Sequence, residues 1–103
     1  TIATVNLGNL LAKTGRGEEA EDFYRRAVEA GHTIATVNLG NLLAKTGRGE
    51  EAEDFYRRAV EAGNTRATVN LGNLLAKTGR EGEARVFYQR AEEAGDSSAG
   101  PDL

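Results

Sequence analysis

The stretch FYRRAVEAGHTIATVNLGNLLAKTG, from Phe23 to Gly47, returns from Phe55 to Gly79 with two letters changed. Extending the match outward gives the whole organisation of the chain. Residues 1–32 and 33–64 differ only at their last position, His32 against Asn64, and residues 65–96 are a third copy with eight changes. The period is 32 residues, and SSAGPDL, from Ser97 to Leu103, is left over as a tail expected to be disordered. A period of this size marks a unit that cannot bury its apolar face alone and must stack on its neighbours. It also limits function: an active site needs different residues converging on one point, and a repeat supplies the same residues at intervals along a line.

Within a unit the helical period appears twice. Ala3, Leu7, Leu10, Leu11 and Thr14 fall on one face of a first helix, and Ala20, Phe23, Tyr24, Ala27 and Val28 make the apolar stripe of a second. Thr1, Thr33 and Thr65 are expected to cap the first helices, with Lys13 in a last turn and Gly15 taking the left-handed position that ends it. Glu18 and Glu19 suit the first turn of the second helix, and Gly31 ends it. Neither segment alternates as a strand would. Gly8 recurs as Gly40 and Gly72 inside a helix, where each costs about 1 kcal/mol relative to Ala. Close helix packing is the expected reason.

These residues resemble the tetratricopeptide repeat. Leu7-Gly8 matches the L-G pair of that family's W-x₂-L-G-x₂-Y pattern, Ala20 and Tyr24 match A-x₃-F with a related aromatic, and Ala27 matches the second small position. Thr4, Leu11 and His32 stand where the pattern has Trp, Tyr and Pro. The junction AVEAGHTIATVNLG, from Ala27 to Gly40, is similar to that of the related Sel1-like repeats. The resemblance implies an all-α solenoid of three helix–turn–helix repeats with a right-handed superhelix. It further implies a protein-interaction scaffold holding a peptide or helix in a concave groove lined by the first helices. Carried over by position, the groove takes Val5, Asn6, Asn9, Ala12 and Lys13, then Val37, Asn38, Asn41, Ala44 and Lys45, then Val69, Asn70, Asn73, Ala76 and Lys77. Asparagine offers both a donor and an acceptor, and a rank of lysines suits a peptide carrying carboxylates. The plainer reading is that the asparagines bond neighbouring helices and the lysines are solvated.

The remaining chemistry is sparse. Thirteen Lys and Arg are interleaved with 16 Asp and Glu for a net charge of −3, which argues against nucleic-acid or anionic-membrane partners. The longest apolar run, Leu10 to Ala12, is far short of the ~20 residues of a membrane span. No Cys is present, which suits a cytoplasmic setting, and Thr1 in place of Met is expected of a trimmed chain or fragment. The single His, His32, is replaced by Asn64 and Asp96 in the other copies, so it reads as a loop residue. Glu18, Glu19, Glu21 and Asp22 are spaced as a solvated helix face, with i,i+4 partners for Glu21 in Arg25 and for Asp22 in Arg26. No nucleophile–base set is present, so neither enzyme activity nor a metal or other cofactor is expected.

The third copy departs where an end would. Val28 and Val60 become Glu92, as expected of a capping repeat, and the glycine at Gly49 moves to Gly82. Val86, Phe87 and Ala91 are expected to stay partly uncovered and to support self-association, head to tail or by two-fold pairing of the last helices. Self-association as a structural module is thus the alternative to peptide binding. A third origin, an engineered or recently duplicated array without a dedicated ligand, also fits the near-identity of the first two units.

Overall fold

A computed structural model describes residues 2–95, with side chains described from Val5 onward. The expected tail at 97–103 and the cap at Thr1 lie outside the described residues. Six helices follow one another: α1 (Ile2–Lys13), α2 (Gly17–Glu29), α3 (Thr33–Lys45), α4 (Gly49–Glu61), α5 (Thr65–Lys77) and α6 (Glu81–Glu93). Three-residue loops join them, and among the described residues there is no strand.

The loops are short because each helix ends in the same way. At the end of α3, Gly47 takes φ +79° and donates to the Ala44 carbonyl, while Arg48 N–H reaches back to Leu43 at 2.8 Å. This double bond is the Schellman arrangement, and it satisfies carbonyls the helix leaves open. The next residue begins the following helix. Arg16, Arg48 and Arg80 stand at the N-caps of α2, α4 and α6 without a side-chain bond to the backbone. Each guanidinium instead grips the glutamate three residues on, as in Arg48 Nε to Glu51 Oε1 at 3.0 Å.

The expected threonine caps are corrected: Thr33 and Thr65 are the first helical residues, and the residue before each is the cap. At α5 the Asn64 side chain accepts from Ala67 N–H at 2.9 Å, whereas His32 at α3 makes no such bond. The one difference between the first two copies is therefore a difference in capping. A threonine one position past the cap cannot reach the open N–H groups from helical backbone.

Each helix packs on its sequence neighbours, and α3 also touches α1 and α5, whereas the second helices do not touch one another through their backbones. The first helices therefore form a continuous inner layer and the second helices a splayed outer one, a solenoid of 38 × 25 × 20 Å. Leu39, Leu43, Leu71 and Leu75 are completely buried between them, each worth about 1.5–3 kcal/mol of burial. The glycine expectation holds in detail. A Cβ on Gly40 would stand 2.6 Å from Tyr56 Cε1, and Gly8 and Gly72 meet Tyr24 and Tyr88 in the same way. The ring of each second helix packs directly against the glycine of the first.

Candidate functional site: the asparagine–tyrosine groove

Where the first helices lie side by side, their outward faces form two open depressions in line. One of about 240 Å³ is lined by Asn9, Ala12, Tyr24, Asn38, Asn41, Leu42 and Lys45. The next, of about 670 Å³, is lined by Asn41, Ala44, Tyr56, Asn70, Asn73, Leu74, Ala76, Lys77 and Tyr88. Asn41 belongs to both, so the two are successive stations of one groove. No acidic side chain among the described residues lines either station.

The polar floor is a ladder. Tyr24 hydroxyl donates to Asn9 Oδ1 at 2.5 Å, and Asn38 Nδ2 donates to the same oxygen at 3.1 Å from the next unit. The second step repeats it: Asn41 Oδ1 accepts from Tyr56 at 2.5 Å and from Asn70 at 3.1 Å. Asn73 accepts from Tyr88 at 2.6 Å. An amide oxygen with two donors has used both of its lone pairs. The amide NH₂ groups of Asn9 and Asn41 make no hydrogen bond among the described residues, and these side chains are exposed. Burial raises the Tyr56 hydroxyl pKa to about 12 and that of Tyr24 in the same direction. Both remain donors at neutral pH.

The structure divides the residues proposed from the sequence. Asn9, Asn38, Asn41, Asn70, Asn73, Lys45 and Lys77 are brought together, with Ala12, Ala44 and Ala76 between them. Asn6 lies in an adjoining depression beside His32 that shares Asn9 with the first station, and Lys13 is exposed at the end of α1. Val5, Val37 and Val69 are corrected: all three are buried. Val5 packs with Ala27 and Ala35, and Val37 with Ala59 and Ala67, at junctions of three helices. A first helix in a stack buries one face on its own partner and a second on the adjoining repeat, and Val5 and Val37 serve the second. Phe87 and Ala91 are corrected likewise, being 9% and 0% exposed, with Arg57 and Arg90 both over the Phe87 ring. Val86 alone of that patch is exposed. The tyrosines and Leu42 and Leu74 were missed as groove residues. The signal was the hydroxyl, because a buried tyrosine needs an acceptor nearby.

The outer layer is also more than a solvated face. Glu21 is bound by Arg25 at 2.8 Å and by Arg48 of the next unit at 2.7 Å. Glu51 is bound by the same two arginines at 3.4 and 3.0 Å, which closes a four-membered ring of alternating charge. Glu53, Arg57, Arg80 and Glu83 form the second ring. The pair Asp22–Arg26 does not form an ion pair, and Arg26 lies over Phe23 instead.

Among the described residues no helix is long and apolar enough to cross a membrane, and no three potential ligands cluster as a metal site would require. No curated protein sequence matches the chain. The solved structure of a Sel1 repeat protein from Oxalobacter formigenes is similar at 32% identity and a TM-score of 0.69, over 93% of this chain and 44% of that one. The chain thus spans less than half the length of that relative. Tetratricopeptide-repeat family models match residues 1–62 and 38–99. With two such matches over a stack of glycine–tyrosine helical hairpins, the chain belongs to the tetratricopeptide-repeat family, in a form similar to Sel1 repeat proteins.

Proposed function

We propose that the chain is a non-catalytic interaction scaffold whose groove takes an extended peptide rich in carboxylates. The observation that carries this reading is the direction of the asparagine ladder. The oxygens of Asn9 and Asn41 are occupied within the protein, so the groove turns amide N–H groups and the ammonium groups of Lys45 and Lys77 outward. Free amide N–H donors beside two ammonium groups, with no carboxylate in the lining, favour an anionic partner, and carboxylates bond ammonium and amide donors more strongly than neutral oxygens do. Asn6 and Lys13 extend the same chemistry at the first unit. The setting proposed is cytoplasmic, in keeping with a sequence free of cysteine.

A titration of isotope-labelled protein with a glutamate-rich peptide and its glutamine counterpart tests this. The acidic peptide is expected to shift the side-chain amides of Asn41 and Asn73, with affinity falling as salt rises. Lys45→Glu with Lys77→Glu is expected to weaken it at least tenfold, about 1.4 kcal/mol, with helical content unchanged. Equal binding of both peptides would end the proposal. The rival reading, self-association, draws support from Leu7 and Leu10, which are 41% and 57% exposed on the first unit. A mass that grows with concentration while the groove amides stay unshifted favours it.

A further inference from the structure

Two faces of the array, one at each end, bear no neighbouring repeat among the described residues, and they are not alike. At the N-terminal face Leu7 and Leu10 are exposed. Their equivalents in the next units, Leu39 and Leu71, are completely buried, and Leu42 and Leu74 are half-buried. What covers them is the preceding second helix. Leu39 shares a depression with Arg25 and Val28 of α2, and Leu42 Cδ1 stands 3.9 Å from where a Cβ on Gly17 would be. The polar groups are also waiting. Among the described residues Arg16 and Glu19 bond only each other, whereas their equivalents Arg48 and Glu51 also bind Glu21 and Arg25 of the unit before.

The C-terminal face has lost what such a surface accepts. Of the eight changes in the third copy, four fall on the positions whose side chains meet a following repeat. Gly17 and Gly49, which admit a leucine, become Glu81. Glu21 and Glu53, which bind the incoming arginine, become Arg85. Arg25 and Arg57, which bind the incoming glutamate and cover the incoming phenylalanine, become Gln89. Val28 and Val60, packed on the core, become Glu92. A second copy stacked on this end would set its Arg16 against Arg85 and its Leu10 against Glu81, a like-charge contact and a desolvated carboxylate.

We propose that the N-terminal face, built on Leu7, Leu10, Arg16 and Glu19, is a docking surface for a helix carrying Glu-x₃-Arg-x₂-Val in the manner of α2 and α4. The chain's own last helix is barred from that surface by Glu81, Arg85, Gln89 and Glu92. The molecule is thus extendable at one end and closed at the other, and copies of it do not polymerise head to tail. This inference is independent of what the groove binds.

The test restores the missing complement in the intact chain. Glu81→Gly, Arg85→Glu, Gln89→Arg and Glu92→Val together give the last helix the contact residues that α4 already carries at the same positions. In sedimentation velocity the wild type is expected to remain at 11.0 kDa as concentration rises, while the fourfold variant grows past twice that mass. Wild-type chain added to the variant is expected to lower the mean mass, because it docks through its N-terminal face and offers no site for the next copy. Leu7→Lys with Leu10→Lys in the variant returns the mass to that of a monomer. Arg85→Glu alone, a milder change, is expected to associate weakly and to lose that association in salt. Circular dichroism confirms folding of each. The proposal fails if the folded variants stay monomeric, if the wild type itself associates, or if the lysine changes leave the variant's assembly intact.

Discussion

The seam inside each repeat and the seam between repeats are built from different physics. Inside, a tyrosine ring lies on a bare glycine backbone, and the arrangement is the same in all three copies to within 0.1 Å at the closest approach. Between repeats, two leucines and a valine are framed by a ring of two arginines and two glutamates on the outer layer and by the asparagine ladder on the inner one. The first seam is specified by shape, which leaves no alternative partner. The second is specified by charge and hydrogen bonding, so changes at four positions can alter which neighbours it accepts. A solenoid needs both: a hairpin that always closes, and a contact that can be told where to stop.

The largest effect expected from this contrast belongs to the inner seam. Gly40→Ala places a methyl group 2.6 Å from the Tyr56 ring; overpacking of this kind costs about 1–3 kcal/mol, against about 1 kcal/mol returned as helix propensity. The net loss should appear as a lower urea midpoint. Gly82→Ala is its control, because a Cβ there meets nothing within 4 Å, and it is expected to gain about 0.5–1 kcal/mol. If both alanines stabilise alike, shape does not specify the seam.

A smaller gain is expected at the repeat junction. His32→Asn supplies the cap that Asn64 already makes to Ala67, worth about 1 kcal/mol. Amide exchange at the start of α3 should slow to match α5. No change in that exchange would mean the side chain is not what separates the two starts.

The smallest effect tests the rings. The hydrogen bond from Arg48, above the other contributions, holds the Glu21 carboxyl below its ordinary 4.5. At Glu53 burial acts upward, but the bonds from Arg57 and Arg80 outweigh it and the carboxyl is again lowered. A carboxyl lowered only in the folded state contributes stability above 4.5 that is lost as pH falls through its folded value. The urea midpoint is therefore expected to drop as pH falls below 4.5, and to drop less in Glu21→Gln with Glu53→Gln. Equal acid slopes would show the rings to be incidental.

Much of the fold was legible because its determinants are local. The period, the apolar stripes and the terminating glycines lie within a few residues of what they control, so helix number and type followed directly. Gly8 could be marked as a packing residue on its own cost to the helix, although its tyrosine partner could not be named. The groove was legible only in part. Asn9 and Lys45 lie off the apolar stripe and were found, but Val5 also lies off that stripe and is buried, because its cover comes from Ala27 and Ala35 on two other helices. The pair Glu21–Arg25, four residues apart, was legible; Glu21–Arg48, 27 apart, was not. The change of Asp54 to Val86 has no account in the structure.

What the sequence determined by itself is the unit: its length, its two helices, its stops and the small residues where they cross, all set by interactions within one turn or one hairpin. Only the tertiary structure decided which end of each asparagine faces outward and which charges join one repeat to the next. Those choices depend on side chains brought together from different units, and a hydrogen-bond acceptor or an ion pair has no direction until its partner is in place.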